Sequence, residues 1–279
     1  MPSAGSVAQA TFHTADGLRF ANEAKYESEL RSAKTLSQED GVLRQFGADY
    51  GLKMSLETGS PSSYAQENAT WNYIGGGDVV DLRAYAAVFI DEWAKYPRAW
   101  IRVSGVTTIV LVTDLVVSGA ARAAMPDPIG KALYLDILPG GSIITAFDSD
   151  YARGVIHHEF DHDIEYDEFG TYSRADPLWT SYDPKGFRYG SGGASWYDGS
   201  SHANLPHPKT GFVTSYAMTG IEEDKAETYS YLFVDARYKL LKSWVKADPE
   251  LAGKVAEYKA FIREEVPMMD DAYFAAINP

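Results

Sequence analysis

The residues best equipped for chemistry form one run of ten, His157-His158-Glu159-Phe160-Asp161-His162-Asp163-Ile164-Glu165-Tyr166. It contains His158-Glu159-x-x-His162, two imidazoles four residues apart with a carboxylate directly after the first. On an α-helix, positions i and i+4 lie one turn apart on the same face. Two imidazoles so placed can hold one metal ion, and Glu159 can reach a water bound to it. The chemistry implied is hydrolysis, with Glu159 as general base. With 6 His in the chain, a chance match to this pattern is about one in a hundred.

These side chains need a helix, predicted from Asp150 to about Glu168 with Asp148 or Ser149 as its cap. At about 100° per residue, Ile156, Phe160 and Ile164 centre on one side, and His158 and His162 on the other. The back can therefore be buried while both His side chains face a cleft. A catalytic zinc takes three protein ligands and keeps its fourth position open. A third His six residues after His162 is absent, because Glu168 stands there. His202 and His207 fall in irregular sequence. Glu223 is the stronger candidate, in the first turn of a helix over about Ile221 to Lys246 that Thr219-x-x-Glu222 opens as a capping box. Glu227, one turn later on the same face, could hold a ligand His in its tautomer. Without the H-E-x-x-H run, Glu222, Glu223 and Glu227 would read better as a solvated acidic helix start that complements the macrodipole.

The rest of the chain supplies a frame. Asn22 to Lys34 reads as a solvated, charge-laced helix with Asn22 as cap. Residues 40–58 fit helix or strand, and 58–63 form a loop. Gly75-Gly76-Gly77 is a turn. Asp78 can cap a helix over Val79 to Tyr96, whose stripe Leu82, Tyr85, Ala86, Phe89, Ile90 and Trp93 is core and which Pro97 ends. Val106 to Val112 is a buried strand, with another starting at Val116-Val117. Met125-Pro126-Asp127-Pro128 is a turn. Lys131 to Ile137 is a strand ending at Pro139-Gly140-Gly141, either an ordinary sheet member or an edge that aligns an extended substrate. Residues 169–212 read as one long irregular loop walling the cleft. Asp248-Pro249 starts a helix to Glu265, and Asp270 to Ile277 adds a last turn or two.

Composition narrows the partners. The net charge of -14 argues against nucleic acid and anionic membranes, which are polyanions. The chain has no Cys, so any metal must use His, Asp or Glu. No stretch approaches a membrane span, because Asp114 interrupts the most apolar run. No signal peptide is visible at the start. The acidic, Tyr- and Trp-rich composition leans toward a secreted or cell-surface protein, and a monomer is expected.

His158-Glu159-Phe160-x-His162, followed by Ser215-Tyr216-Ala217-Met218-Thr219-x-x-x-Glu223-x-x-x-Glu227, resembles the catalytic domains of gluzincin metallopeptidases. It is closest to the anthrax lethal factor type and to bacterial zinc-binding metallopeptidases. The resemblance covers roughly residues 154 to 234. It implies that Tyr216, seven residues before Glu223, donates a hydrogen bond to the oxyanion. Asp161 departs from it, standing where the lethal factor pattern has Gly.

The expectation is an α+β, zincin-like fold, with a small mixed sheet, an active-site helix and a mainly helical C-terminal part. Residues 1–63 form an N-terminal segment packed on a catalytic domain of residues 64–279, β-rich to about 148. The expected function is zinc-dependent endopeptidase action on a peptide or protein substrate. One Zn²⁺ per chain is held by His158, His162 and Glu223, with Glu159 and Tyr216 catalytic. One alternative is an inactive binding protein on a zincin scaffold, using Trp179, Tyr182, Phe187, Tyr189, Trp196 and Tyr197 to hold peptides or glycans. Another is a structural protein whose acidic run Asp161, Asp163, Glu165, Asp167 and Glu168 binds calcium or nothing.

Overall fold

The apolar, β-branched run near residue 110 becomes the spine of a mixed sheet. In the computed structural model, which describes residues 19–57, 62–64, 68–138, 148–197 and 203–279, it forms one ten-residue strand, β4 (Thr108–Val117). Its first half pairs in parallel with β1 (Lys53–Leu56) and with β7 (Ala132–Asp136). Its second half pairs antiparallel with β3 (Ala69–Asn72) and β5 (Ala120–Ala121). β2 (Ser62–Tyr64) extends the sheet beyond β3, and β6 (Ala124–Asp127) extends it beyond β7. The halves of β4 meet at Asp114, whose φ of 52° is left-handed and whose carboxylate accepts from Asn72 Nδ2 at 2.8 Å. The partner strand shifts register at the same place, so Asp114 marks a bulge that re-aims the strand. Val110 and Val112 join Ala69, Trp71, Leu115, Met125 and Ala132 in one core, while Ile109 and Leu111 are buried on the alternate positions. A strand covered on both faces reads as a continuous apolar run, not an alternating one.

Three sequence expectations change here. Val116-Val117 belongs to β4. Met125-Pro126-Asp127 is strand rather than turn, and Pro126 is tolerated because β6 is the outermost strand on that side. The strand over Lys131 to Ile137 is interior, paired on both sides, so it cannot be the edge that receives an extended substrate. Pro139-Gly140-Gly141 lies outside the described residues.

The described residues fall into two compact units, one within Ala15–Ile164 and one within Glu165–Pro279. The division falls inside a helix and not near residues 58–63, of which 58–61 lie outside the described residues.

In the first unit, α1 (Arg19–Ser32) begins ahead of Asn22, which sits inside it instead of capping it. It is not a solvated helix, because Tyr26 and Leu30 are buried. The ambiguous stretch resolves into α2 (Leu36–Tyr50), capped by the Thr35 side chain and closed by Gly51 at a φ of 76°, followed by β1. α3 (Val79–Trp93) carries the expected apolar stripe, buried throughout. Asp78 stands at its N-cap position as expected, but without a side-chain bond to the helix; its carboxylate accepts from Gly75 N at 2.7 Å and closes the glycine turn. After Pro97 the chain enters a short helix, α4 (Arg98–Val103), that the sequence reading missed.

Aromatic rings join these helices to α5 (Ser149–Phe169), the helix of the H-E-x-x-H run. Tyr26 meets Phe46, Phe46 meets Phe89, Phe89 meets Trp93, and Trp93 meets Phe160 of α5 at 4.8 Å. All five are fully buried. Beside them a polar hook fixes the rotation of α5. His157 Nε2 donates to Glu92 Oε2 at 2.8 Å, and the Tyr96 hydroxyl bonds His157 Nδ1. Arg153, one turn before His157, pairs with Glu92 and Asp91. Lys95 completes the set at 2.5 Å. Burial alone would raise the Glu92 carboxyl. The hydrogen bond from His157 and the charges of His157, Lys95 and Arg153 outweigh burial and hold it down at about 2.

The second unit is helical, with α6 (Pro177–Ser181), α7 (Ile221–Phe233), α8 (Asp235–Trp244), α9 (Pro249–Glu265) and α10 (Asp271–Ile277). α7 is buried from Glu223 to Phe233. Tyr229 lies 5.6 Å from Tyr258 of α9, and Phe233 5.6 Å from Phe274 of α10. The single helix expected from Ile221 to Lys246 breaks at Val234, which is extended (φ -86°, ψ 118°). The Thr219 capping box does not form. Gly220 occupies the cap position, and the Thr219 hydroxyl donates to Tyr216 O at 2.7 Å instead. Asp248 and Asp270 cap α9 and α10 through Leu251 N and Tyr273 N, both at 2.9 Å. Among the described residues no helix is long and apolar enough to cross a membrane.

Two outcomes follow from this packing. Glu92→Ala removes the buried acceptor that Arg153, His157 and Lys95 share and should cost about 3–5 kcal/mol, read from urea unfolding at neutral pH. Asp136 is raised by burial to about 7, against donation from Leu115 N and Leu138 N. The native state therefore keeps a proton that the unfolded chain releases, and stability should fall as pH rises from about 4 to about 7. Asp136→Asn should flatten that slope in unfolding curves taken across the window.

Candidate metal centre

α5 starts where its sequence says it should, with Asp148 Oδ1 accepting from Asp150 N at 3.0 Å and Tyr151 N at 3.1 Å. Ile156, Phe160 and Ile164 are fully buried, as the apolar stripe requires. His158 and His162 lie with ring centroids 4.9 Å apart and planes nearly perpendicular. They are only 6% and 8% exposed, so water competes little for their ring nitrogens. Glu159 is half-buried between them in sequence. Tyr85 of α3 is fully buried, and burial together with the charges of Asp136, Tyr151 and Glu159 pushes its hydroxyl up. It stays a neutral phenol within the field of Glu159. The flanks of α5 are also closed, with His157, Asp161 and Asp163 fully buried. The helix is thus more enclosed than an apolar back and an open front would require.

Within the second unit, Glu223 and Tyr216 meet at a glycine. A Cβ placed on Gly193 would overlap Glu223 Oε1 and come within 2.5 Å of the Tyr216 hydroxyl. The carboxylate and the phenol therefore converge on the same piece of backbone. Tyr216 begins a short 3₁₀ turn, Tyr216–Met218. The Thr214 hydroxyl donates to Glu227 Oε2 at 2.7 Å and accepts from Ala217 N at 3.1 Å. Glu227 thereby supports the turn that carries Tyr216.

The stretch over residues 169–212 is mostly irregular, as its sequence suggests, but two short elements and a set of buried ion pairs order it. It holds α6, capped by Asp176 through Trp179 N at 3.1 Å, and a 3₁₀ turn at Gly193–Tyr197. Three donors converge on Asp224 Oδ2: Trp179 Nε1 at 2.8 Å, the Tyr189 hydroxyl at 2.6 Å and Lys254 Nζ at 2.7 Å. Lys254, also fully buried, bridges to Asp183 at 2.7 Å. Burial and the Asp224 and Asp183 charges push the Tyr189 hydroxyl up, so it remains a donor. Lys225 pairs with Glu165 at 3.1 Å and with Asp176 at 3.0 Å. Glu223 is therefore followed directly by two residues whose buried ion pairs fix the first turn of α7.

Among the described residues, one group of His, Asp and Glu side chains could hold a metal ion: His158, His162 and Glu223, all buried. Two imidazoles and a carboxylate, with no thiolate in the chain, make a nitrogen and oxygen donor set of the kind that holds a divalent transition metal. His207 is not part of it. Its Nε2 bonds Asp248 at 2.9 Å and its ring stacks on Trp244 at 4.8 Å. His202 and the side chain of Tyr197 lie outside the described residues. The acidic run is divided, because Asp167 and Glu168 are exposed while Glu165 is spent on Lys225. The expected aromatic platform is mostly packed inward. Trp179 is buried, and Phe187 and Tyr189 pack on Phe212 at 4.4 and 6.0 Å. Sequence reasoning missed Gly193, Asp224, Lys225 and Lys254, whose partners lie far away along the chain and leave no local pattern.

Metal content after dialysis against a mixture of divalent ions should separate the histidines. His162→Ala should lose the metal, while His207→Ala should keep it, because His207 serves the α9 cap. The chain matches no protein-family model, no curated protein and no solved structure with which it was compared.

Proposed function

We propose that the chain is a zinc-dependent endopeptidase of gluzincin type, holding one Zn²⁺ through His158, His162 and Glu223. The observation that carries the reading is the His158-Glu159-x-x-His162 pattern on one capped helix, its imidazoles paired and shielded from water. A second observation supports Glu223 as the third ligand. Glu165, three residues after His162, is bonded by Lys225, two residues after Glu223.

When bound, zinc would lower the pKa of a coordinated water and polarise the scissile carbonyl. Glu159, next to His158 on the helix, takes the proton of the attacking water and passes it to the leaving amine. Tyr216 aims its hydroxyl at the oxygen that becomes negative, a contribution of about 3–4 kcal/mol for a single donor of this kind. Glu227 is proposed to hold a ligand imidazole in one tautomer, besides its observed bond to Thr214. The enclosing protein lowers the local dielectric and strengthens each of these interactions. Substrates are peptides or proteins, and nucleic acid is disfavoured by the net charge of -14.

Glu159→Gln should abolish cleavage of a broad peptide library while zinc content stays near one per chain. Cleavage at the wild-type rate would show that Glu159 is not the base. Glu223→Ala should weaken zinc binding far more than Glu222→Ala, and the reverse order would move the third ligand by one residue.

A further inference from the structure

The glycine-rich stretch after Tyr189 has so far served only as backbone against which Glu223 and Tyr216 rest. It is held in place along its length. The Tyr189 hydroxyl donates to Asp224, Gly190 N to Met218 O at 3.1 Å, and Gly192 N to Thr219 O at 2.7 Å. The backbone is thus laced to the turn that bears Tyr216 and to the helix that bears Glu223. At Gly192 an added Cβ would lie 3.2 Å from Glu222 Oε1, and at Gly193 it would collide with Glu223 and crowd Tyr216. Three residues on from Gly192, Ser195 closes the 3₁₀ turn by donating to Gly192 O at 2.6 Å. Trp196 then sets its ring edge-on to that of Tyr216, with centroids 5.4 Å apart.

From this contact pattern we infer that residues 189–196 are a fixed wall of the site, in which Gly193 and Trp196 position the Glu223 carboxylate and the Tyr216 hydroxyl. The inference rests on the proposed metal site and assigns that site two positioning residues. Gly193 acts by omission. Its missing side chain leaves the volume that the two functional groups occupy. Trp196 acts by contact, limiting the swing of the Tyr216 ring. The atoms nearest Gly193 are side-chain ends and not backbone, and the closest belong to the Glu223 carboxylate, so an added methyl group displaces them at little cost to the fold. A residue needed only for folding would behave in the opposite way.

The test compares Gly193→Ala with Gly41→Ala in α2, where an added Cβ meets nothing within 4 Å. Zinc affinity is measured by chelator competition, and stability by thermal melting of the zinc-free proteins. Gly193→Ala should weaken zinc binding by about 10- to 100-fold, the range for loss of a group that orients a ligand. Its melting temperature should move by less than about 4 °C. Gly41→Ala should bind zinc as the wild type does. Where cleavage is observed, Trp196→Ala should lower kcat by about tenfold or more with little change in KM, as expected when a transition-state donor is misplaced. Wild-type zinc affinity in Gly193→Ala would overturn the inference, and so would a larger melting shift, which would make the contact a requirement of folding. A wild-type chain that takes up zinc but cleaves nothing removes the hydrolytic reading alone, and the affinity comparison still decides this one. A wild-type chain that takes up no zinc removes both.

Discussion

A helix enclosed by protein on nearly every side cannot leave its polar residues to solvent, and Glu92 answers that constraint for α5. One carboxylate receives Arg153 and His157 from successive turns of α5 and Lys95 from its own chain segment. Buried cations and buried anions are each costly alone, and an ion pair in the interior is favourable only when its remaining donors and acceptors are also met. Here they are met from two directions at once, which fixes both the height of α5 against α3 and its rotation. The ring packing of Phe160 on Trp93 sets how close the helices lie, but rings tolerate sliding. The directed bonds to Glu92 do not, and they decide which way His158 and His162 point.

The second unit solves the same problem twice within three residues. Asp224 and Lys225 both lie in the buried opening of α7, and each is matched by partners from distant segments. Asp224 gathers the stretch over residues 179–189 and α9, while Lys225 gathers the end of α5 and the cap of α6. Glu223, in the same turn, inherits a fixed direction from its neighbours. A carboxylate carried on a turn held by two charge clusters would lose little freedom on taking up an ion, because the ordering was done during folding.

The sequence disclosed what is encoded locally. The caps Asp148, Asp248 and Asp270 are short-range bonds between a side chain and a nearby amide, so their spacing is visible. The stripe of α3 and the apolar back of the metal helix follow from helical period alone. The Thr219 box matched a pattern and still failed, because the hydroxyl found a closer acceptor in the preceding turn. α1 looked solvated since its charges outnumber Tyr26 and Leu30, yet those two are spaced to share a face and are buried. Met125-Pro126-Asp127 looked like a turn because Pro is rare in strands, and only the position of β6 at the margin of the sheet reconciles it. For the candidate site, His158, Glu159 and His162 were legible from one motif, and Glu223 from its place in a helix start. Gly193 was not, because what matters there is a side chain it lacks opposite groups 23 and 30 residues away.

Burial of Asp136 has a consequence for how the molecule handles protons. Among soluble proteins, uptake or release near neutrality is ordinarily assigned to imidazoles. In this chain burial lifts Asp136 to about 7, and burial with the neighbouring Asp176 charge lifts Glu257 to the same value. Two carboxyl groups thus buffer in the range that histidine usually commands. A titration step near pH 7, seen by calorimetry, should therefore shrink when Asp136 and Glu257 are both replaced by their amides.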